Sequence, residues 1–138
     1  MIRVLIFEDN MEYVQLMERA FKAYEGREFE LVHFAELGAG LESLIKETYD
    51  AVLLDLTLVD ASESITLGSM QEYGDQLPVI VLSATTHDRL ERVVRDHGMD
   101  FRVKDATPWR EVPEIVTAAV REFRLARQAE DIADQDPK

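Results

Sequence analysis

The sequence of 138 residues contains no cysteine. Disulfides, thiolate metal sites and cysteine nucleophiles are therefore excluded, and a reducing, cytoplasmic compartment is the expected location. Long apolar runs are missing as well, because none approaches the ~20 residues that a membrane-spanning helix needs. We therefore expect a protein that does not interact with a membrane.

Basic residues are few relative to acidic ones. Fifteen lysines and arginines stand against 28 acidic residues, which gives a formal net charge of −13. A surface of this sign repels nucleic acid and anionic membranes, so neither is expected as a partner. The glycine-rich fingerprints of P-loop and dinucleotide-binding proteins are absent too.

Strand-like and helix-like segments alternate along the chain. Five short apolar runs indicate buried strands: Ile2–Phe7, Phe29–Phe34, Ala51–Leu54, Val79–Leu82 and Phe101–Val103. Apolar residues at helical spacing separate these runs, which is typical of βαβ units. The pattern predicts an α/β fold in which five βα units form a three-layer, doubly wound parallel sheet.

The ends of the helices are less clear in places. Asn10 and Gly26 are plausible cap and stop signals for the first helix, whereas the stretch 56–75 is hard to interpret. The last helix begins near Pro108 or Pro113, since either proline can occupy a first turn. We expect one domain over residues 1–124, followed by a C-terminal helix extension and acidic tail over 125–138.

Polar residues follow four of the five predicted strands, where each strand ends. Glu8 and Asp9 follow the first strand, Asp55 the third, Ser83 the fourth and Lys104 the fifth. Ligands of open parallel sheets bind at the carboxyl ends of the strands. Three carboxylates that meet there repel one another unless a cation lies among them, and Mg²⁺ suits such oxygen ligands. A phosphoryl-handling site with Mg²⁺ is therefore predicted.

Each of these residues also has an ordinary explanation. Glu8 and Asp9 could be first-turn acids of a helix, Ser83 a helix cap and Lys104 a solvated lysine. Asp55 is harder to explain in this way, because an acid after a buried run costs free energy unless it is paired or binds a metal. The joint occurrence of all five residues in this order favours the functional interpretation.

The chemistry that these residues support centres on Asp55. Its carboxylate can act as a nucleophile toward phosphorus and form an aspartyl phosphate. Lys104 would pair with Asp55 and then with a phosphoryl oxygen, to which Ser83 would donate a hydrogen bond. The backbone carbonyl of Thr57 would complete the metal shell that Glu8, Asp9 and Asp55 begin.

Taken together, the motifs resemble the receiver domain of two-component response regulators over residues 1 to about 124. Glu8-Asp9-Asn10 resembles the acidic pair with the asparagine after it, and Asp55 resembles the phosphoacceptor. Ser83-Ala84 resembles the Ser/Thr-Ala switch pair. Phe101 stands at the aromatic switch position, and Lys104 resembles the invariant lysine. The resemblance implies the flavodoxin-like strand order 2-1-3-4-5.

The function that the resemblance implies is a single-domain response regulator, which is not an enzyme for outside substrates. A sensor histidine kinase or phosphotransfer protein would phosphorylate Asp55, and binding of an unknown downstream protein would change. Alternatives are a receiver-like scaffold that works without phosphorylation and a receiver excised from a larger signalling protein. An aspartyl phosphohydrolase is disfavoured, because Thr57 stands where enzymes similar to haloacid dehalogenases carry a second acid.

Two departures from the family pattern concern loops near the expected site. Lys104 is followed by Asp105, where the family usually has proline, and the stretch 56–63 lacks the usual proline and glycine. The aromatic switch is also ambiguous, because Phe101 could swing inward on phosphorylation or belong to the core. Mixed charge over residues 87–104 allows a homodimer through this segment and the last helix.

Overall fold

A computed structural model describes residues 1–84 and 88–135 of the chain, in which five strands alternate with five α-helices. The strands are β1 (Ile2–Phe7), β2 (Phe29–Phe34), β3 (Ala51–Asp55), β4 (Val79–Ser83) and β5 (Asp100–Val103). The helices are α1 (Met11–Ala23), α2 (Leu37–Lys46), α3 (Glu63–Met70), α4 (Asp88–Asp96) and α5 (Val112–Gln135). None of the helices within these two ranges has the length and apolar character that crossing a bilayer requires.

The strands form one parallel sheet in the order β2-β1-β3-β4-β5. The predicted fold class and the flavodoxin-like strand order are therefore confirmed. The register aligns the carboxyl ends of the central strands, because Asp55 pairs with Leu82 and Ser83 pairs with Val103. This alignment creates the edge at which the predicted polar residues meet.

Two buried layers cover the sheet, one on each face. Successive β1 residues point to opposite faces, so Leu5 and Phe7 belong to one layer while Val4 and Ile6 belong to the other. The first layer contains buried residues of α2, α3 and α4, and the second contains buried residues of α1 and α5. Apolar burial of this kind holds both sets of helices against the sheet.

The predicted strands agree with the observed ones to within one residue. Both β3 and β4 extend by one residue, so that Asp55 and Ser83 are the last residues of their strands. The ambiguous stretch 56–75 contains α3, whose first turn is capped by Ser62, and a 3-10 turn over Gln71–Tyr73. The loop between β3 and α3 therefore spans residues 56–62.

The last helix begins beside the second of the two prolines, which lies in its first turn. A 3-10 turn over Trp109–Glu111 comes after Pro108, and α5 then begins at Val112 with Pro113 in its first turn. The helix continues to Gln135, well past residue 124. Asp136 of the acidic tail and His87 of the proposed dimer face lie outside the described residues.

The end of β1 is fixed by close packing against α2. A Cβ atom on Gly40 would lie 2.1 Å from the ring of Phe7, so only glycine leaves room for that ring. Because Phe7 precedes Glu8 directly, this contact also fixes where the first acidic residue leaves the sheet.

Candidate functional site

Glu8 leaves the sheet at the end of β1 with its side chain buried. Its Oε2 atom accepts a hydrogen bond from the Asn10 N–H at 3.2 Å, and its backbone carbonyl lies 2.6 Å from His33 Nε2 at the end of β2. Asn10 then caps α1 through the amides of Glu12 and Tyr13, as its position in the sequence predicted. The turn after β1 therefore points Glu8 inward and begins the helix at once.

Asp55 is the last residue of β3 and is also buried. One carboxylate oxygen, Oδ1, accepts hydrogen bonds from the Thr57 amide at 3.0 Å and the Thr57 hydroxyl at 2.9 Å. The other oxygen, Oδ2, lies 3.3 Å from Lys104 Nζ. Both oxygens are thus oriented by neighbours, while the Thr57 carbonyl as a metal ligand stays a prediction.

Lys104 joins the two buried acids. It begins the short 3-10 turn after β5, and its Nζ atom lies 2.6 Å from Glu8 Oε1 and 3.3 Å from Asp55 Oδ2. The same ammonium lies over the ring of Tyr13, 4.7 Å from the ring centroid. An ammonium that contacts both acids offsets part of the free-energy cost of burying their charge.

Asp9 completes a group of three acids at this edge. Glu8, Asp9 and Asp55 each offer a carboxylate oxygen, and these oxygens lie within 4.8 Å of one another. Three carboxylates stand against the single ammonium of Lys104, so the group is suited to a divalent cation. Oxygen donors at this spacing fit Mg²⁺, which needs only one or two protein carboxylates. We call Glu8, Asp9, Asp55 and Lys104 the acidic site.

The two buried carboxyls of the acidic site differ in proton affinity. Burial and the hydrogen bond with Asp55 raise the pKa of Glu8 to about 7. Burial alone would also raise the pKa of Asp55, but hydrogen bonds from Glu8 and Thr57 and the charge of Lys104 hold it below its ordinary value. Without a metal and below about pH 7, this coupled pair therefore holds a proton, and the proton resides on Glu8.

Lys104 itself remains charged. Burial alone would lower the pKa of Lys104, but the hydrogen bond to Glu8 and the charges of Glu8 and Asp55 raise it above its ordinary value. The ammonium is therefore a permanent positive charge of the acidic site, as a partner for phosphoryl oxygens must be.

Ser83 and Phe101 lie on the neighbouring strands. Ser83 is buried at the end of β4, one residue beyond the residue that pairs with Asp55. Phe101 is buried in the layer that contains α4, together with Val81 and Val94. The structure thus places Ser83 at the same edge as the acidic site and Phe101 within the core. Their roles as switch residues stay predictions.

The loop after Asp55 is anchored by a residue that the sequence did not identify. Asp60 accepts hydrogen bonds from the amides of Leu37 at 2.7 Å and Gly38 at 3.0 Å, at the start of α2. These bonds lower the pKa of the Asp60 carboxyl. Glu36, at the N-cap position of α2, makes no side-chain cap of its own. Asp60 therefore caps α2 although it lies outside that helix in sequence, and its hydrogen bonds hold the loop that contains Thr57 against α2.

Tyr13 was also missed, although a signal for it exists. Asn10 as N-cap makes Tyr13 the third residue of α1, and Met17 follows it four residues later on the same helix face. Because Met17 is buried, this face points toward the sheet and brings Tyr13 to the carboxyl edge. Asp60 offered no such signal, since its partners are 22 and 23 residues away in sequence.

Comparison with known families identifies the chain. A family model for the response regulator receiver domain matches residues 4–115. The chain belongs to this family. Receiver domains are signalling modules that bind Mg²⁺ at an acidic pocket and interact with histidine kinases or phosphotransfer proteins. A comparison with curated proteins gave no match.

Solved receiver structures share the fold at low sequence identity. The signal receiver domain of a protein described as a Luxo repressor in Vibrio parahaemolyticus is 20% identical, with a TM-score of 0.79 over 94% of this chain and 97% of that one. The receiver domain of Francisella response regulator 1452 is 18% identical, with a TM-score of 0.75 over 88% and 98%. A CheY-like receiver from Methanospirillum hungatei is 20% identical, with a TM-score of 0.74 over 91% and 98%.

Two positions that the sequence singled out, Asp105 and Thr57, adjoin residues of the acidic site. Every peptide bond within the described residues is trans, and this includes the bond between Lys104 and Asp105. Thr57 stands two residues after Asp55, where an aspartyl phosphohydrolase carries its second acid, and its hydroxyl donates to Asp55. A threonine cannot supply the carboxylic proton that such an enzyme needs.

Proposed function

We propose that this receiver accepts one phosphoryl group on Asp55 from a sensor histidine kinase or phosphotransfer protein. The observation that carries the proposal is the contact of Lys104 Nζ with both Glu8 and Asp55 at 2.6 and 3.3 Å. This contact brings the candidate nucleophile, a candidate metal ligand and a phosphoryl-binding cation to one point. Family membership supports the same chemistry.

The proposed transfer step needs no chemistry beyond these groups. A carboxylate oxygen of Asp55 forms a bond to phosphorus while the bond from phosphorus to the donor's histidine nitrogen breaks, and the electron pair stays on that nitrogen. Lys104 moves its contact from Asp55 to a phosphoryl oxygen, and Ser83 donates a hydrogen bond to another. Glu8, Asp9 and Asp55, with the Thr57 carbonyl, would hold Mg²⁺. When bound, Mg²⁺ supplies charge that offsets the phosphoryl oxygens.

The output of the proposed switch is a change in partner binding. A phosphoryl group adds roughly two negative charges beside Ser83. Residues 87–104 and α5 are the proposed readout face, either for an unknown downstream protein or for a second copy of the chain. Arg95 already pairs with Glu91 and Asp100, and Arg102 with Asp100, within one chain. Reciprocal pairs across a dimer would therefore have to replace these contacts.

Further parts of the proposal concern the chain as a whole. We propose that residues 1–124 form the receiver unit and that 125–138 form a helix extension with an acidic tail. Action as a single-domain regulator without enzymatic turnover, and a cytoplasmic location, belong to the same proposal. A receiver excised from a larger protein, or a scaffold that is never phosphorylated, is the competing alternative.

Labelling with acetyl phosphate tests the proposal. With millimolar Mg²⁺ we expect one acid-stable, base-labile phosphoryl group per chain, detected by intact mass, and no label in Asp55→Asn. Mg²⁺ alone should shift amide signals of residues 8, 9 and 55. The matched control is Asp50→Asn, which removes a carboxylate at the start of β3 instead of its end. Label that persists in Asp55→Asn, or that disappears in Asp50→Asn alone, would contradict the assignment.

A further inference from the structure

The ring of Tyr13 lies against the acidic site, although neither metal binding nor phosphoryl transfer requires an aromatic side chain there. The Lys104 ammonium lies 4.7 Å from the centroid of its ring while it contacts Glu8 and Asp55 at the same time. The face of an aromatic ring carries negative potential and attracts a cation. Lys104 is therefore enclosed by two carboxylates and one ring face.

The hydroxyl of Tyr13 does not explain why tyrosine is present. Its oxygen is buried and has no hydrogen-bond partner among the described residues. Burial raises the pKa of the phenol, so the group stays neutral. Buried tyrosine hydroxyls usually have a partner, and one without a partner is a cost to the folded state. The part of Tyr13 that contributes is thus its ring.

We propose that Tyr13 is a positioning residue for Lys104. A lysine ammonium is a point charge on a flexible four-carbon stem, so two carboxylates do not by themselves fix where the stem runs. The ring closes the remaining side and keeps Nζ between Glu8 and Asp55. From that place the ammonium reaches a phosphoryl oxygen on Asp55. Only this last statement rests on the proposed function.

Three variants separate the ring from the hydroxyl and from simple bulk. Tyr13→Phe keeps the ring face and removes the hydroxyl, whereas Tyr13→Leu keeps apolar volume and removes the ring. Tyr49→Leu is the matched control, because the Arg3 guanidinium lies 4.6 Å from the Tyr49 ring centroid before β3, at the opposite edge of the sheet. Tyr13→Met is a second apolar replacement if leucine impairs folding.

The first measurement is the order of the Lys104 side chain in the metal-free protein, from carbon relaxation at Cε. We expect low mobility and a ring-current-shifted Cε signal in the wild type, Tyr13→Phe and Tyr49→Leu. In Tyr13→Leu or Tyr13→Met the shift should disappear and the mobility should rise. Equal order of Lys104 in every variant would overturn the proposal. This measurement tests the positioning role of Tyr13 even if the wild-type protein accepts no phosphoryl group. In that case the proposed function alone fails.

The second measurement is the rate of labelling by acetyl phosphate at saturating Mg²⁺, beside the Mg²⁺ dissociation constant. Tyr13→Leu should lower the labelling rate roughly 5-fold, which corresponds to the loss of one cation–π contact at a partly desolvated position. Its Mg²⁺ affinity should be unchanged, because Tyr13 is not a ligand. Tyr13→Phe and Tyr49→Leu should label at the wild-type rate. An equal loss in Tyr13→Phe, or a matching loss of Mg²⁺ affinity in Tyr13→Leu, would contradict positioning through Lys104.

Discussion

The two edges of the sheet carry nearly the same set of groups. At the carboxyl edge, Lys104 lies over Tyr13 and pairs with Glu8 and Asp55. At the amino edge, Arg3 lies over Tyr49 and pairs with Glu30 and Glu47. We call the second set the arginine cluster. Each set has one cation, one tyrosine ring and two carboxylates at contact distance.

Burial is what separates the two sets. The Glu8 and Asp55 side chains are 2% exposed and that of Lys104 is 16% exposed. In the arginine cluster the carboxylates are 47% and 50% exposed and Arg3 is 26% exposed. Exposed ion pairs contribute little to stability, whereas buried ones carry a large desolvation cost.

The pKa shifts record the same contrast. Arg3 lowers the pKa of Glu47, mainly by hydrogen bonding, as an exposed partner should. Burial raises the pKa of Glu8 although the Lys104 ammonium lies 2.6 Å from its carboxyl. The arginine cluster therefore joins β1 to its neighbours by exposed ion pairs, while the acidic site holds buried negative charge whose cost a bound cation can offset.

Removal of the cation should give the largest difference between the two edges. Without Mg²⁺ at pH 8, Lys104→Met leaves the buried acids Glu8 and Asp55 without their cation and should lower the free energy of unfolding by about 3 kcal/mol. Arg3→Met leaves carboxylates that water solvates and should change stability little. Urea unfolding measures both variants. Equal losses would mean that burial does not distinguish the edges.

A change of pH between 4.5 and 8 should affect the acidic site more than the arginine cluster. The pKa of Glu8 is raised from 4.5 to about 7, so its stabilising contribution is complete below pH 4.5 and is lost as pH rises toward and through 7. The free energy of unfolding should fall by up to about 3 kcal/mol over this window without Mg²⁺.

Mg²⁺ should reverse this trend, because it favours the ionised carboxyl of Glu8. Its affinity should therefore rise with pH from 6 to 8, and binding should release a proton that a weakly buffered solution can record. Thermal unfolding with EDTA and with Mg²⁺ gives the two stability curves. Parallel curves would show that Glu8 neither carries the proton nor binds the metal.

Charge removal at single glutamates should have opposite signs at the two edges. At pH 8 without Mg²⁺, Glu8→Gln removes a buried ionisation and should stabilise the protein by about 2 kcal/mol, while it weakens Mg²⁺ binding. At pH 5, where Glu8 is already protonated, the gain should vanish. Glu47→Gln should slightly destabilise at both pH values, because its charge pairs with Arg3. The same sign for both variants at pH 8 would contradict the comparison.

The sequence predicted that the residues of the acidic site meet at one edge of the sheet, because strand ends are local signals. Glu8, Asp55, Ser83 and Lys104 each follow an apolar run directly, and parallel strands align such ends at one edge. The strand boundaries agreed with the structure to within one residue for the same reason.

The groups that support the acidic site were harder to find. Tyr13 was detectable only by combining the Asn10 cap with the helix period, and its contact with Lys104 joins two ends of the chain. Asp60 lies in a loop without proline or glycine and caps a helix that is earlier in sequence. Burial, which separates the acidic site from the arginine cluster, is a property of packing and cannot be read from charge or spacing.

The smallest expected effect is on Mg²⁺ affinity, after removal of an aspartate that accepts hydrogen bonds from backbone amides at one edge of the sheet. Asp60 accepts from two amides of α2 and holds the loop that carries Thr57, whereas Asp50 accepts from the Arg3 amide at 2.7 Å and from Arg124 at 3.1 Å. Asp60→Ala should loosen the loop and weaken Mg²⁺ binding by less than about 10-fold, since direct partners of metal ligands reach that value and Asp60 acts one step further away.

Asp50→Ala is the matched control for this test. It removes an aspartate of the same kind at the amino edge, so it should alter stability and leave Mg²⁺ affinity unchanged. Titration of both variants, followed by amide signals near residues 8 and 55, measures the two affinities. An unchanged affinity in Asp60→Ala would mean that the loop keeps its shape without that anchor, because hydrogen bonds from Thr57 to Asp55 alone suffice to hold it.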